Sequence, residues 1–287
     1  MNFKHKYLFL LPGFLVLLGI LIFPIGFTVR LSLSSWDSFF PGLDFIGLEN
    51  YTRLFTDDPR FWEAFQRLSF MSVITVFLQY TIGFALAHMV WKEIKFQRFF
   101  RVLFLIPMMT TPVIMTVIWK TVFHESLGPV NDFFSLFGVT PLWLSSEALS
   151  KVTVIIVEVW QWTPFMFLLL LAGLLSLPKE PFLAASIDGA SDMVAFWRII
   201  FPMMRPITAT VAIINALWIW NDFLLPRLVL TNETQTLPLS TYLFYGQYSI
   251  EYGQAMAGLV LAVIPIVIFY LVLQKQFISG ISQGAVK

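Results

Sequence analysis

The sequence predicts an all-α integral membrane protein with about six spans, both termini on one side, and a polar helical segment between spans four and five. Three observations carry this. The 287 residues are 58% hydrophobic and only 12% charged, with a mean hydropathy of +0.79; an ordinary soluble domain is about a quarter charged. The apolar runs are nearly continuous over roughly 20 residues, the length of a bilayer-crossing helix, and do not alternate over about 10 as barrel strands do. Lys and Arg gather in short connections on one side.

The first span is expected from about Tyr7 to Ser35, kinked at Pro24. It is too long for a signal peptide, lacks an Ala-x-Ala cleavage site, and reads as a retained helix. Trp36–Arg67 is polar and aromatic, with turns at Pro41-Gly42 and Asp58-Pro59 and a capped helix after Asp57-Asp58-Pro59. Span two covers about Leu68–Trp91 and span three about Phe99–Phe123. The latter holds Pro107 and Pro112, with Thr110, Thr111 and Thr116 near enough to satisfy freed carbonyls. In His124–Lys151, Asn131 is the expected cap of a short helix ending at Gly138. Span four covers about Val152–Leu177, span five Ile207–Leu230 and span six Gln254–Leu273. One transmembrane domain is expected over 1–287, with a core at 68–277 and an additional N-terminal span at 7–35.

Orientation follows from basic residues. The side holding the N-terminus, Lys92–Arg101, the 177–206 segment and the tail carries eleven bases and four acids; seven bases and thirteen acids lie elsewhere. That side is cytoplasmic, termini included. Without cysteine there is no disulfide and no thiolate metal site, and His5, His88 and His124 fit no ligand spacing. A Walker A pattern is absent. No catalytic pair has a motif behind it, so no enzyme and no cofactor are expected.

Inside the spans, Gln79 lies mid-span in span two. Glu158, Gln161 and Trp162 share one helix face in span four, as do Asn215, Trp218 and Asp222 in span five, with Asn221 adjacent. Carboxylates and amides in a span are costly unless they face protein or water. Carboxylates and amides bind hydroxyls, and indole faces stack on the C–H faces of a sugar ring. The plainer alternatives are interfacial pairing for Glu158, helix–helix glue for Asn215, an aromatic belt for Trp218 and an Asp222–Arg227 ion pair.

The polar segment Leu177–Pro206 contains Leu183-Ala184-Ala185-Ser186-Ile187-Asp188-Gly189-Ala190, then Ile199-Ile200-Phe201-Pro202. A short helix is expected at about Phe182–Asp192. The segment resembles the cytoplasmic signature of permease subunits of binding-protein-dependent ABC importers, in the carbohydrate branch (maltose-type and glycerol-phosphate-type). That signature is Glu-Ala-Ala-x-x-x-Gly, nine residues, then Ile-x-Leu-Pro. Leu183 stands at the signature glutamate and Phe201 at its leucine; Glu180, one turn earlier, is a carboxylate that stands in. Gly47-Leu48-Glu49-Asn50-Tyr51, Trp220-Asn221-Asp222-Phe223, Thr236-Leu237-Pro238-Leu239 and the Gly-Ala-Val-Lys tail also look like the family.

The resemblance implies a coupling helix seated in a separate ATP-binding cassette subunit. Its contact residues are Glu180, Leu183, Ala184, Ala185, Asp188, Gly189, Ala190 and Pro202. It also implies two cassettes that bind ATP and Mg, a second permease (hetero- or homodimer, the former favoured) and an extracytoplasmic solute-binding protein. The location would be a cell inner membrane, among lipid and without nucleic acid. The expected function is sugar import. The alternatives are a non-sugar solute, or a standalone channel or secondary transporter.

Overall fold

In a computed structural model, the structure describes residues 3–36, 42–92, 95–178, 180–231, 233–242 and 252–285. The expected turn residue Pro41, the base Lys179 and the tail residues Val286 and Lys287 lie outside them. Among the described residues four helices are long and apolar enough to cross a bilayer: Leu10–Ser32, Pro59–Trp91, Glu147–Ser176 and Tyr252–Lys275. A helix pair bent by 65°, Met193–Met203 and Arg205–Asn221, is long and apolar enough only when taken together.

Contacts divide the chain into two units. The first comprises residues 1–65 and 239–265. It holds α1 (Phe3–Ser32), a two-stranded antiparallel pair β1 (Ser34–Ser35) and β2 (Asp44–Phe45), α2 (Glu49–Thr56) and the beginnings of α3 (Pro59–Trp91) and of the last helix, α13 (Tyr252–Ala285). The strand pair departs from the all-helical expectation, at a cost of only two residues per strand. In α1, Leu10, Phe14 and Phe23 are exposed, as expected of a helix facing lipid.

The Gly-Leu-Glu-Asn-Tyr motif has a physical role here. Gly47 takes φ +64°, a left-handed turn that favours glycine. The turn delivers Asn50, whose Nδ2 donates to the carbonyls of Ser32 and Ser34, both at 2.9 Å. Tyr51 Oη and Ser32 Oγ bond at 2.7 Å. The motif therefore ties α2 to the end of the first span. Gly253 lies against the same knot: a Cβ there would fall 2.3 Å from the Ser34 oxygen. At the start of α3, Asp58 Oδ1 accepts the Arg60 N–H at 3.1 Å, the expected cap.

The second unit comprises residues 66–238 and 266–287. Its spine is α3 against α7 (Glu147–Ser176). One apolar core joins Phe84, Ala87, Met166, Phe167, Leu170, Ile200 and Met204; another joins Met71, Met115, Val154, Val157 and Leu225. The expected third span is in pieces: α4 (Gln97–Leu105), a 3-10 turn at Pro107–Met109 and α5 (Pro112–Val122). Pro107 and Pro112 remove backbone donors and end each piece. Thr110 Oγ1 donates to the Pro107 carbonyl at 2.6 Å and Thr116 Oγ1 to that of Pro112 at 2.8 Å, as expected of threonines beside a break.

Beyond α5, α6 (Pro129–Ser135) begins after Gly128, so Asn131 is not its cap. Asn131 is a buried bracket instead. Its Nδ2 donates to the carbonyls of Glu125 and Pro141, and its Oδ1 accepts from Trp143 Nε1 at 2.9 Å. Glu125 Oε1 accepts the N–H groups of Ser145 at 2.8 Å and Leu144 at 3.3 Å. Slight burial pushes the Glu125 carboxyl up, but the Ser145 side chain, these two N–H groups and nearby His124 outweigh it and hold it below its ordinary value.

Candidate functional site

The 177–206 segment folds as α8 (Glu180–Ile187), α9 (Asp192–Ala195), a π-helical turn at Phe196–Ile200 and α10 (Phe201–Met203). The expected single helix over 182–192 thus ends early. Gly189 is the reason. It takes φ +75°, and the Ala190 N–H reaches back to the Ala185 carbonyl at 2.9 Å, a left-handed helix cap. A Cβ at Gly189 would meet nothing, so the glycine answers a backbone need and not a steric one.

Two aromatic residues fix this segment to the core. Phe182 packs edge-on to Trp91 at 5.7 Å, and Phe196 edge-on to Phe84 at 5.4 Å. Ala185 is buried beneath them, while Glu180, Ala184, Asp188 and Gly189 face outward and Ala190 is half-buried. The Leu183 backbone lies within α8; its side chain is outside the described residues. Pro202 sits in the first turn of α10. Sequence reasoning missed the apolar residues on the outer face: Ile187 is 85% exposed, Met193 66% and Trp197 56%. The signal was there in an apolar residue directly before Asp188.

A cavity of about 520 Å³ opens between α5, α7, α11 (Arg205–Asn221) and α12 (Leu224–Val229). Glu158, Gln161, Trp162, Trp218, Asn221 and Asp222 line it. The structure therefore brings together six of the eight pathway residues. α11 stops at Asn221, short of the expected Leu230. Asp222 turns extended, with φ −69° and ψ 127°, and its Oδ1 accepts the Leu224 N–H at 3.1 Å. The break brings Asp222 to the same cavity wall as Glu158. Asp222 has no ion pair with Arg227 among the described residues.

Trp218 packs at a tilt against Trp162 at 4.9 Å and Phe165 at 4.7 Å, both on α7, forming an aromatic shelf. Gln161 Nε2 donates to the Thr110 carbonyl at 3.3 Å, at the break before α5. Asn221 Nδ2 donates to the Leu217 carbonyl at 2.7 Å. The remaining two pathway residues stand behind the wall. Gln79 is fully buried and donates from Nε2 to the Glu158 carbonyl at 3.0 Å. Asn215 is buried; its Nδ2 donates across to the Met166 sulfur on α7 at 3.4 Å, the helix-glue contact, and within α11 to the Val211 carbonyl at 3.0 Å.

A glycine-capped helix held on an aromatic footing is thus joined to a bundle of long apolar helices with a polar cavity. Residues 79–283, well over half the chain, match the model for the binding-protein-dependent transport system inner membrane component. The chain belongs to this family. It is an inner-membrane transport component. It is 33% identical over 292 residues to the multiple sugar-binding transport system permease protein MsmG of Streptococcus mutans, covering 100% of this chain and 98% of that one. It is 33% identical over 215 residues to the trehalose/maltose transport system permease protein MalF of Thermococcus litoralis, covering 75% and 72%. A crystal structure of a bacterial alginate ABC transporter, in complex with a periplasmic protein bound to an alginate pentasaccharide, contains a chain of the same fold. It has a TM-score of 0.79 at 19% identity and covers 94% of this chain and 92% of that one.

Proposed function

We propose that the chain is one permease subunit of an ABC importer that passes a sugar or sugar derivative from a solute-binding protein into the cytoplasm. On this reading it is a single transmembrane domain over 1–287 with six spans and both termini cytoplasmic, the α4–α5 pair supplying the sixth crossing. The α8 segment is the coupling helix, seated on one of two cassettes. Those cassettes bind ATP and Mg and carry the ATPase activity; this chain contributes no catalytic residue. A second permease, of a different sequence, completes the pathway.

The observation that carries this reading is the cavity, in which two carboxyl groups and two amides face an indole shelf inside a membrane bundle. Hydroxyls and ring C–H faces are the groups such a lining binds. Ile187, Met193 and Trp197 favour the docking role of α8, since exposed apolar groups beside a polar helix mark a partner surface. Asp188 and the close approach that Gly189 and Ala184 permit belong to the same contact, with Glu180, Leu183, Ala190 and Pro202 around it; Ala185, expected there, is buried within the chain instead.

Two variants test the reading separately. Asp188→Arg should abolish cassette association and transport with the chain still folded in detergent. Trp218→Ala should reduce uptake while cassette binding persists. ATP-coupled uptake that survives Asp188→Arg would overturn the docking assignment; unchanged uptake kinetics in Trp218→Ala would move the sugar path elsewhere.

A further inference from the structure

The donors and acceptors lining the cavity are unevenly distributed. A carbonyl only accepts, so the Asn221 amide must turn its nitrogen toward Leu217 O, and the Gln161 amide its nitrogen toward Thr110 O. Each amide thereby spends one of its two N–H donors within the chain and keeps its oxygen unused. Gln161 is only 1% exposed, lines the cavity, and its Oε1 has no partner among the described residues. Glu158, 5% exposed, and Asp222 add carboxyl oxygens. The lining from Glu158, Gln161, Asn221 and Asp222 is thus richer in acceptors than in donors.

Among the described residues no Lys, Arg or His lines the cavity. Lys120 on α5, Lys151 on α7, Arg205 on α11 and Arg227 on α12 all lie outside its walls. Two neighbouring carboxyl groups in an apolar bundle require a proton or a cation between them. The indole faces of Trp162 and Trp218 also attract cations through their quadrupoles. A neutral sugar offers hydroxyl donors but no positive charge, and an acidic one adds a repulsive carboxylate.

We propose that this cavity selects saccharides carrying a protonated amino group, with Glu158 and Asp222 as the specificity-determining pair. The inference rests on the cavity being the transport site. The ammonium is bound by the two carboxylates, a neighbouring hydroxyl donates to Gln161, and the ring lies on the Trp218 shelf. An N-acylated or anionic analogue of the same size loses the ammonium contact but keeps the shelf.

The full chain in lipid nanodiscs tests this by ligand-detected magnetic resonance titration with three probes. These are a glucosamine disaccharide, its N,N′-diacetyl form, and a disaccharide of similar size bearing a uronic acid. The amine should bind about tenfold or more tighter than the acetylated form, since hydrogen bonds to charged groups are worth roughly that factor; the uronate should bind weakest. The near-isosteric double variant Glu158→Gln with Asp222→Asn should bind the amine and the acetylated form equally. Equal affinity in the native chain, or a preference that persists in the double variant, overturns the charge selectivity. Trp218→Ala should weaken all three probes together. If it weakens none, or if no probe binds, the cavity itself is not the sugar site and the inference falls with it.

Discussion

Gly83 on α3 lies so close to Met166 on α7 that a Cβ at position 83 would fall 2.8 Å from Met166 Cβ and 3.1 Å from the Phe167 backbone nitrogen. Small residues let membrane helices approach closely, and van der Waals packing then holds them. Four residues N-terminal to it, Gln79 crosses the same seam to the Glu158 carbonyl. The wall behind the cavity is thus set by one missing side chain and one hydrogen bond.

Gly83→Ala should therefore destabilise the chain by about 1–3 kcal/mol, the usual cost of overpacking a close contact. The obstacle is backbone, which cannot swing aside. Thermal unfolding in detergent measures it. An unchanged Tm would mean the helices separate freely, and the seam would not be what positions Glu158.

At Gly189 the expected outcome differs in kind. A methyl group meets no neighbour, so Gly189→Ala costs only the left-handed conformation, about 1 kcal/mol. Gly189→Asn should cost less, since asparagine tolerates that region. ATP hydrolysis by cassettes assembled with each variant should follow the order Gly, Asn, Ala. Equal loss in both variants would place the glycine's role in contact with the partner and not in the cap.

Asn50→Ala leaves the buried carbonyls of Ser32 and Ser34 without their donor, at about 1–3 kcal/mol. Gly253→Ala should be at least as damaging, because its Cβ would drive into the Ser34 oxygen and the Asn50 amide. Urea or thermal titration of the purified chain reads both. Full stability of Asn50→Ala would show that the knot is not needed to seat α2.

Glu125 gives a pH dependence. Its carboxyl is held below its ordinary value in the folded chain, so its contribution is fully present above the ordinary carboxylate range of about 4.3. It is lost as pH falls through the lower folded value. Emission from Trp143, which donates to Asn131 in the same bracket, should change over that acidic window. Glu125→Gln should remove the change. A transition of the same midpoint in that variant would assign it to another group.

Much of the site was legible because helical spacing alone sets which residues share a face. Glu158 with Gln161 and Trp162, and Trp218 with Asp222, follow from positions three, four and seven apart. Asn215 obeys the same spacing, yet points to Met166. Periodicity names a face of one helix but not the neighbour that face meets. Likewise the third apolar run, expected as one span, is broken at Pro107 and Pro112, and nothing local announced the stop at Asn221. That stop depends on Asp222 accepting the Leu224 N–H and lining the same cavity wall as Glu158 from another helix.

The sequence by itself determined a helical membrane protein, the polar segment at 177–206 and its glycine, since hydropathy, basic residues and proline act through local or solvent-level energies. Tertiary structure decided that Glu158 and Asp222, 64 positions apart in chain numbering, line one acceptor-rich cavity. It also decided that Gln161 and Asn221 each commit one amide N–H to a backbone carbonyl. Those outcomes depend on which backbone carbonyls are left unsatisfied once the helices pack, and no stretch of sequence carries that information alone.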